Sequence, residues 1–269
     1  MADTIRCGAC GATVSLGHKF CGGCGGLLNP EEGAPSSRRI WYSLRLIKED
    51  GSDGELFELS DKGALIGRTE GEVRFPHDPT VSPMHAALRY VNGKLVVRDL
   101  RSSNGTFVGI GDNVVLKSGD VFQCGEQFLR FETVSWLQEV AAEKNGSDRD
   151  GTSSGAPVDT TDVKFFGTPR RAWRYKLIQI LAGHEQGAVY CSVSPVTVIG
   201  REGMDLNFPV DRYISGRHCS VEQRGTLFYL NDLASRNGTF LKVNGERTLN
   251  EGDSIFVGRQ LLRVETRSS

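Results

Sequence analysis

Four cysteines near the start of the chain have a spacing that could bind a metal. They form two Cys-Gly-x-Cys-Gly groups, whose members are Cys7, Cys10, Cys21 and Cys24. A tetrahedral Zn²⁺ site takes four thiolates, and two tight turns containing glycine can supply them in pairs. The spacing therefore predicts a structural Zn²⁺ held by these four side chains, with no position open for catalysis.

This pattern resembles a zinc ribbon, which we place at residues 1–29. Fewer than forty residues cannot build a sufficient apolar core, so the metal would supply the stability of this segment. Redox-active dithiols are the alternative, but two matched pairs favour a metal. His18 could replace one ligand; with four cysteines present we expect that it does not.

A second set of polar side chains occurs twice, 133 residues apart. An arginine follows a glycine, a serine precedes a histidine by three positions, and a Ser-x-Asn-Gly-Thr turn comes later. The members are Gly67-Arg68, Ser82, His85 and Ser102–Thr106 in the first copy, and Gly200-Arg201, Ser215, His218 and Ser235–Thr239 in the second. Guanidinium, hydroxyl and carboxamide groups on loops can surround an anion, and charge-assisted hydrogen bonds to phosphate are about twice as strong as neutral ones.

The equivalence holds without a gap from Ile66 to Glu132, so the chain contains two copies of one domain. Short apolar segments separated by turn residues run through each copy, at a spacing typical of a β-sandwich. In the second copy they are KLIQIL, AVYCSV, VTVIG, HCSVEQ, LFYLNDL, TFLKV, DSIFVG and QLLRVET. We predict an all-β fold with two β-sandwich domains, at 40–135 and 173–269, and flexible linkers at 30–39 and 136–172.

The motifs Gly-Arg, Ser-x-x-His and Ser-x-Asn-Gly-Thr, at these separations, resemble the forkhead-associated (FHA) domain twice over. The resemblance rests on the three motifs together, because Asn-Gly alone is also a common hairpin turn. It implies an eleven-strand sandwich whose apical loops bind phosphothreonine peptides without catalysis. The implied phosphate contacts are Arg68, Ser82 and Ser103 in the first copy and Arg201, Ser215 and Arg236 in the second. Asn104 and Asn237 would bind the peptide backbone, and His85 and His218 would brace the loops.

The two copies differ in positive charge around the predicted phosphate site. Arg212, Arg217 and Arg236 stand in the second copy where the first has Pro79, Met84 and Ser103. More guanidinium groups favour a doubly charged ligand. We therefore predict that the second copy binds a phosphopeptide more tightly, with Arg217 among its phosphopeptide-binding residues.

These features predict a non-catalytic signalling adaptor, whose partners are phosphothreonine proteins, including Ser/Thr kinases or their substrates. An enzyme is one rival, since Ser-x-x-His could belong to a hydrolase, but no Gly-x-Ser-x-Gly elbow precedes a helix and no Gly-rich phosphate loop ends in Lys-Ser/Thr. Another alternative is a zinc-ribbon regulator that binds nucleic acid or protein, with the FHA domains as phosphate-independent scaffolds. The head has few bases and no interleaved aromatic residues, which argues against nucleic acid.

Net charge and the lack of long apolar segments bear on the cellular location and on the classes of binding partner. The net charge of −1 gives no argument for a nucleic acid or an acidic membrane, and no apolar run approaches the roughly 20 residues that span a bilayer. The N-terminus lacks the apolar core of a signal peptide, so we expect a cytoplasmic protein without membrane insertion. Thr160 and Thr161 lie in the longer linker, where phosphorylation could let them dock on either site of the same molecule.

Overall fold

The computed structural model describes residues 4–7, 10–15, 20–26, 40–133 and 173–268. The chain divides into a small unit, Met1–Trp41 with Thr266–Ser269, and a large unit, Tyr42–Glu265. The predicted linkers at 30–39 and 136–172, together with Thr160 and Thr161, lie outside the described residues. Within the described ranges, no helix has the length and apolar character needed to cross a membrane.

The small unit contains a β-hairpin and two buried cysteines. Strand β1 (Thr4–Arg6) pairs antiparallel with β2 (Thr13–Ser15). Cys7 and Cys21 are buried, and Ala12 and Val14 pack against them. This is far less apolar burial than an independently stable domain needs, so the described part of the unit depends on something other than a core.

Ten strands are described in each repeat, where the resemblance implied eleven. The first repeat forms β3 (Ile40–Ile47), β4 (Asp53–Glu58), β5 (Ala64–Gly67), β6 (Val73–Arg74), β7 (Ala86–Val91), β8 (Lys94–Asp99), β9 (Thr106–Gly109), β10 (Val114–Leu116), β11 (Val121–Cys124) and β12 (Gln127–Thr133). The second forms β13 (Tyr175–Ile180), β14 (Gln186–Ser192), β15 (Val196–Gly200), β16 (Leu206–Asn207), β17 (Cys219–Arg224), β18 (Leu227–Asp232), β19 (Thr239–Lys242), β20 (Glu246–Leu249), β21 (Ser254–Val257) and β22 (Gln260–Ser268). One 3-10 turn lies at Ala182–His184.

The all-β prediction is confirmed, and each of the eight apolar segments of the second repeat forms a strand. Burial alternates along the strands as a pleated sheet requires; in β11, for example, Phe122 and Cys124 are buried while Val121 and Gln123 are half-buried. The sequence did not predict β16 or β20. Both are short, and β20 has the sequence ERTL, in which polar residues precede the one buried leucine.

The two repeats form three sheets, and each sheet contains strands of both repeats. The largest has the order β14-β13-β12-β11-β19-β9-β21-β22-β3-β4. The other two have the orders β10-β18-β17-β15-β16 and β20-β8-β7-β5-β6. The last three strands of the first repeat therefore lie among strands of the second, and the last three strands of the second lie among strands of the first.

Each of the two hydrophobic cores contains buried residues of both repeats. Strands β3 to β9 of the first repeat pack with six buried residues of the second: Val243, Leu249, Ile255, Val257, Leu262 and Val264. The other core combines the second repeat with Ile110, Leu116, Phe122, Cys124, Leu129 and Phe131 of the first. Each sandwich is thus built from both repeats, although the repeats are continuous in the sequence.

The exchange begins where β9 and β19 meet at the middle of the largest sheet. They pair antiparallel, with Val108 opposite Leu241. Each then pairs on its other side with the penultimate strand of the opposite repeat, β9 with β21 and β19 with β11. The chain crosses from one sandwich to the other in the short segments 110–113 and 243–245, which follow β9 and β19.

Candidate functional site

The predicted site residues of the first repeat lie on loops that follow neighbouring strands. Arg68 comes directly after β5, Ser82 lies between β6 and β7, and Ser103 and Asn104 lie between β8 and β9. Because β5, β7 and β8 are neighbours in one sheet, these loops meet at one end of it. Together we call residues 78–85 and 101–105 the first recognition loops; residues 211–218 and 234–238 are the second recognition loops.

Hydrogen bonds join the first recognition loops to each other. The backbone N–H of Ser103 donates to the Ser82 hydroxyl oxygen at 3.0 Å, and the Asn104 side-chain amide donates to the Thr80 carbonyl at 2.7 Å. The backbone N–H of Arg68 donates to the Ser82 carbonyl at 2.9 Å. The predicted arginine, serine and asparagine are therefore brought to one place, and Ser103 and Asn104 remain exposed there.

The second recognition loops repeat these contacts. The N–H of Arg236 donates to the Ser215 hydroxyl oxygen at 3.0 Å, and the Asn237 amide donates to the Tyr213 carbonyl at 2.7 Å. Arg201 differs from Arg68, because its guanidinium donates to the backbone carbonyls of Ile214 and Arg212 and lies along the loop. Its position is fixed before any ligand arrives.

Three predicted arginine side chains have no such anchor. Among the described residues, the guanidinium groups of Arg68, Arg217 and Arg236 make no hydrogen bond. Arg217 and Arg236 are exposed, whereas Arg68 is half-buried. These three groups are free to turn toward an anion at the loops.

The histidines at equivalent positions of the two repeats brace the loops, as the resemblance implied. His85 accepts the Ser82 backbone N–H at Nδ1 (3.1 Å), so its Nε2 carries the proton and donates to the Gly105 carbonyl (3.1 Å). His218 makes the same pair of bonds to Ser215 and Gly238, at 3.0 Å each. Both ring nitrogens are occupied by backbone groups, so neither histidine is placed to take a proton from its serine hydroxyl.

Glycine precedes each predicted arginine because the backbone passes very close there. A Cβ on Gly67 would lie 2.1 Å from the Pro83 carbonyl oxygen, and one on Gly200 would lie 2.0 Å from that of Gly216. The Gly-Arg motif thus lets the serine loop lie against the end of the strand. The other loop carries local strain in both repeats: Arg101 and Ala234 occupy equivalent positions with φ of 57° and 54°, in the left-handed region.

Sequence reasoning missed the acidic residues that hold the loops in shape. Asp78 accepts the backbone N–H of Thr80 (2.9 Å) and also its hydroxyl, and Asp99 accepts the hydroxyls of Ser102 (2.6 Å) and Thr106 (2.8 Å). In the second repeat Asp211 accepts the backbone N–H of Tyr213 (2.9 Å), and Asp232 accepts the hydroxyls of Ser235 and Thr239 (2.6 Å each). The 133-residue equivalence relates both pairs, so the repeat itself could have revealed them.

Acid is expected to destabilise the first recognition loops through His85. Burial lowers the pKa of His85, because it disfavours the charged ring. The unfolded chain, with a histidine pKa near 6.5, then binds the proton more readily than the folded chain, so stability falls as the pH drops below about 6.5. We expect the free energy of unfolding, measured by urea denaturation, to decrease between about pH 7 and pH 5.5.

His85→Gln is the matched variant for this prediction, because glutamine can accept at one atom and donate at another without titrating. Its stability should change less over the same pH interval than that of the original chain. Equal pH dependence in the two proteins would assign the effect to other groups.

The four predicted metal ligands converge in the small unit. The sulfur atoms of Cys7, Cys10, Cys21 and Cys24 all lie within 4.8 Å of one another. Cys7 Sγ is 3.7 Å from Cys24 Sγ, and Cys10 Sγ is 3.6 Å from Cys21 Sγ. Four sulfurs bound tetrahedrally to one ion at about 2.3 Å would be about 3.8 Å apart, so the arrangement fits a metal ion, and none of the four cysteines is in a disulfide.

The two cysteine turns have matching backbones. Gly11 N–H donates to the Cys7 carbonyl, and Gly25 N–H donates to the Cys21 carbonyl, at 2.8 Å in both turns. Both glycines have positive φ, 73° and 71°. Hydrogen bonds from the backbone N–H groups of Gly23 and Cys24 lower the pKa of the Cys21 thiol to about 6, which favours the thiolate that a metal needs.

Comparison with known proteins agrees with the two-fold repeat. The model of the FHA domain matches residues 64–125 and 197–258. The oxoglutarate dehydrogenase inhibitor of Corynebacterium efficiens is 34% identical over 91 residues, which cover 33% of this chain and 64% of that protein. The chain thus spans less than two thirds of the length of this relative.

Solved structures resemble parts of the chain. One, described as a structural and functional analysis of phosphothreonine-dependent FHA domain interactions, is 26% identical, with a TM-score of 0.22, over 33% of this chain and 91% of that one. EmbR of Mycobacterium tuberculosis in complex with a low-affinity phosphopeptide is 24% identical, with a TM-score of 0.19, over 33% and 27%. The FHA domain of a Chlamydia trachomatis protein is 22% identical, with a TM-score of 0.21, over 35% and 98%.

Two segments of the chain, one in each repeat, therefore match the FHA domain, and a cluster of four cysteines that could hold a metal ion precedes them in the sequence. Each matched segment contains one complete set of recognition loops. Each also contains β10 and β11, or β20 and β21, which lie in the sandwich of the other repeat.

Proposed function

We propose that this protein is a non-catalytic adaptor that binds phosphothreonine peptides at two sites, one on each set of recognition loops. The observation that carries the proposal is the repeated use of the serine hydroxyl. Ser82 and Ser215 each accept a backbone N–H at Oγ, from Ser103 and Arg236 respectively. Since the oxygen already serves as an acceptor inside the loop, its own proton is free to be donated outward to an anion.

The groups around each serine fit a phosphate ester on a peptide. An arginine beside the hydroxyl supplies charge-assisted hydrogen bonds, which a doubly charged phosphate uses better than a carboxylate does. Asn104 and Asn237 each use one amide proton within the loop, which leaves the carbonyl oxygen and the second proton for the peptide backbone. Nothing in this arrangement supplies a nucleophile with its base, so binding without chemistry is the function it fits.

The relative from Corynebacterium efficiens supports a protein partner, since its name describes inhibition of an enzyme. We propose that the partners of this chain are phosphorylated proteins in Ser/Thr kinase signalling, including kinases or their substrates. The cytoplasmic location stays a prediction from the sequence. Phosphorylation of Thr160 or Thr161 also stays a prediction.

The second site is proposed to be the tighter one. Arg217 and Arg236 are exposed beside Ser215, and the first repeat has Met84 and Ser103 at those positions. The fixed guanidinium of Arg201 adds to this difference, because a group already held in place loses less entropy on binding.

Titration with phosphothreonine peptides tests the proposal, with phosphoserine and unphosphorylated peptides beside them. Arg68→Ala should weaken binding at the first site and Arg201→Ala at the second, each about 10-fold or more, because a hydrogen bond to a charged group contributes roughly 1.5–3 kcal/mol. The double variant should be weakened to a similar extent at both sites. Arg98→Ala, which removes an arginine that is 59% exposed and outside the loops, is the control.

Unchanged affinity in the double variant, or equal affinity for the unphosphorylated peptide, would overturn phosphate recognition. The alternative would then hold, in which the sandwiches are scaffolds and the cysteine-containing head binds nucleic acid or protein.

For the cysteine cluster we propose a structural Zn²⁺. Four thiolates at these separations suit zinc, and four protein ligands leave no site for a substrate. The ion would hold together a unit whose described residues have almost no apolar core.

Metal analysis of the purified full chain should find one zinc per molecule. Cys24→Ser is expected to remove most of it, because structural zinc sites depend on all four ligands, whose combined binding free energy is about 10–16 kcal/mol. Cys191→Ser, which changes a cysteine of the large unit, should leave the zinc content unchanged. Equal metal content in the two variants would contradict a four-cysteine site.

A further inference from the structure

A buried carboxylate lies under each set of recognition loops. Asp78 is 6% exposed and Asp211 is 1% exposed. Through its Oδ1 atom, each holds the residue two positions later: the N–H of Thr80 donates to Asp78 and that of Tyr213 to Asp211, both at 2.9 Å. The carbonyls of Thr80 and Tyr213 are the groups that receive the amides of Asn104 and Asn237.

The other oxygen of each carboxylate is bound by the opposite repeat. Asp78 Oδ2 accepts the backbone N–H of Arg259 at 3.0 Å and the side-chain amide of Gln260 at 2.7 Å. Asp211 Oδ2 accepts the N–H of Glu126 and the amide of Gln127, both at 2.8 Å. These donors lie at the turns of the hairpins β21–β22 and β11–β12, which are among the exchanged strands.

The hairpin turns also fit the loops sterically. A Cβ on Gly258 would lie 2.6 Å from the Thr80 hydroxyl and 2.7 Å from a Val81 methyl. On Gly125 it would lie 2.8 Å from the Asp211 carboxylate and the Ile214 nitrogen. Both turns press directly against the loop they support, and glycine is what lets them do so.

We propose that each phosphopeptide site is completed by the other repeat, with Gln260 as a positioning residue for the first site and Gln127 for the second. This inference rests on the proposed phosphopeptide function of the loops. A chain of contacts runs from Gln260 to Asp78, from Asp78 to Thr80 and from Thr80 to Asn104. Loss of the glutamine amide leaves a buried carboxylate oxygen with one donor fewer, and the loop that orients the asparagine loosens.

Leucine substitutions at the two glutamines test the crossed dependence in the full chain. The first site is measured in an Arg201→Ala background, in which the second is weakened, and the second in an Arg68→Ala background, by titration with a phosphothreonine peptide. Gln260→Leu should weaken the first site about 5- to 10-fold and change the second less than 2-fold. Gln127→Leu should do the reverse.

The crossed pattern separates positioning from general destabilisation, which would weaken both sites in both variants. Weakening of the site within the same repeat, of both sites equally or of neither would overturn the inference.

Hydrogen exchange provides a readout that does not depend on peptide binding. Deuterium uptake should rise in residues 78–85 for Gln260→Leu only, and in residues 211–218 for Gln127→Leu only. If neither site of the original chain binds a phosphopeptide, the proposed function fails, and crossed uptake still supports the positioning of the loops. Uptake that rises within the mutated repeat, or in neither loop, would overturn the positioning as well.

Discussion

Cutting the chain between the two repeats is expected to leave them bound to each other. With a protease site inserted between Ser153 and Ser154, the cleaved protein should elute from a native sizing column as one species that contains both halves. Each half supplies three strands to the sandwich of the other, so the backbone between them is not what holds them together.

The free energy that holds the two halves together can be estimated from the buried side chains that each repeat contributes to the core of the other. Phe122, Leu129 and Phe131 are at most 1% exposed, and they are surrounded by the second repeat. Ile255, Leu262 and Val264 are equally buried among strands of the first. Burial of one such side chain contributes about 1.5–3 kcal/mol, so exposing three of them in each half would cancel a stability of about 5–15 kcal/mol.

Urea is the control for the cleavage experiment. In denaturant the two halves should separate, which shows that cleavage was complete. Two separate folded peaks in native buffer would contradict the exchange and would mean that each repeat closes on its own strands.

Phe131→Ala is expected to cause a large loss of stability in the large unit. The ring is fully buried, and its centroid lies 5.1 Å from that of Phe228 and 5.5 Å from that of Tyr175. Phenylalanine-to-alanine changes in a core cost about 3–5 kcal/mol, through lost burial and the cavity that remains. Urea denaturation followed by circular dichroism measures the change in the free energy of unfolding.

The repeat provides a matched control for this prediction. Val264 occupies the position equivalent to Phe131 and is 1% exposed in the other sandwich. Val264→Ala removes fewer carbon atoms and should cost about 2 kcal/mol. A loss below about 1 kcal/mol for Phe131→Ala would contradict the aromatic core.

The same pair of residues gives a physical reason for the exchange. If each repeat closed on itself, Phe131 would enter the place that Val264 now fills, and Phe122 the place of Ile255. Overfilling a core costs about 1–3 kcal/mol per site, and the second sandwich would at the same time lose the aromatic partners of Phe228 and Tyr175. These differences in side-chain size favour the exchanged pairing.

Much of the fold could be predicted from the sequence, because alternating apolar segments and a gapless repeat specify strands and their order. The partner of each strand could not. Equivalent strands such as β11 and β21 have the same alternation of buried and half-buried residues. That alternation is satisfied whether a strand pairs within its own repeat or with the opposite repeat. The sizes of the side chains at positions such as 131 and 264 distinguish the two pairings. Those sizes can be used only when the residues that face them in the core are known.

The candidate site shows the same division. Arg68, Ser82 and Asn104 could be chosen because their chemistry suits an anion and their spacing is repeated. Asp78 escaped notice because its role is to hold a backbone loop, although it too is repeated. Gln260 could not have been assigned to the first site at all, since the sequence places it beside the second.

The antiparallel pair of β9 and β19 lies on a pseudo-twofold axis, about which the strand order of the largest sheet reads the same in both directions. A protein with a single repeat would form the same arrangement as a domain-swapped homodimer, in which two copies exchange identical strands. In such a homodimer, folding would depend on protein concentration. Here both repeats belong to one polypeptide, so assembly of the two sandwiches is a unimolecular event whose extent does not depend on protein concentration.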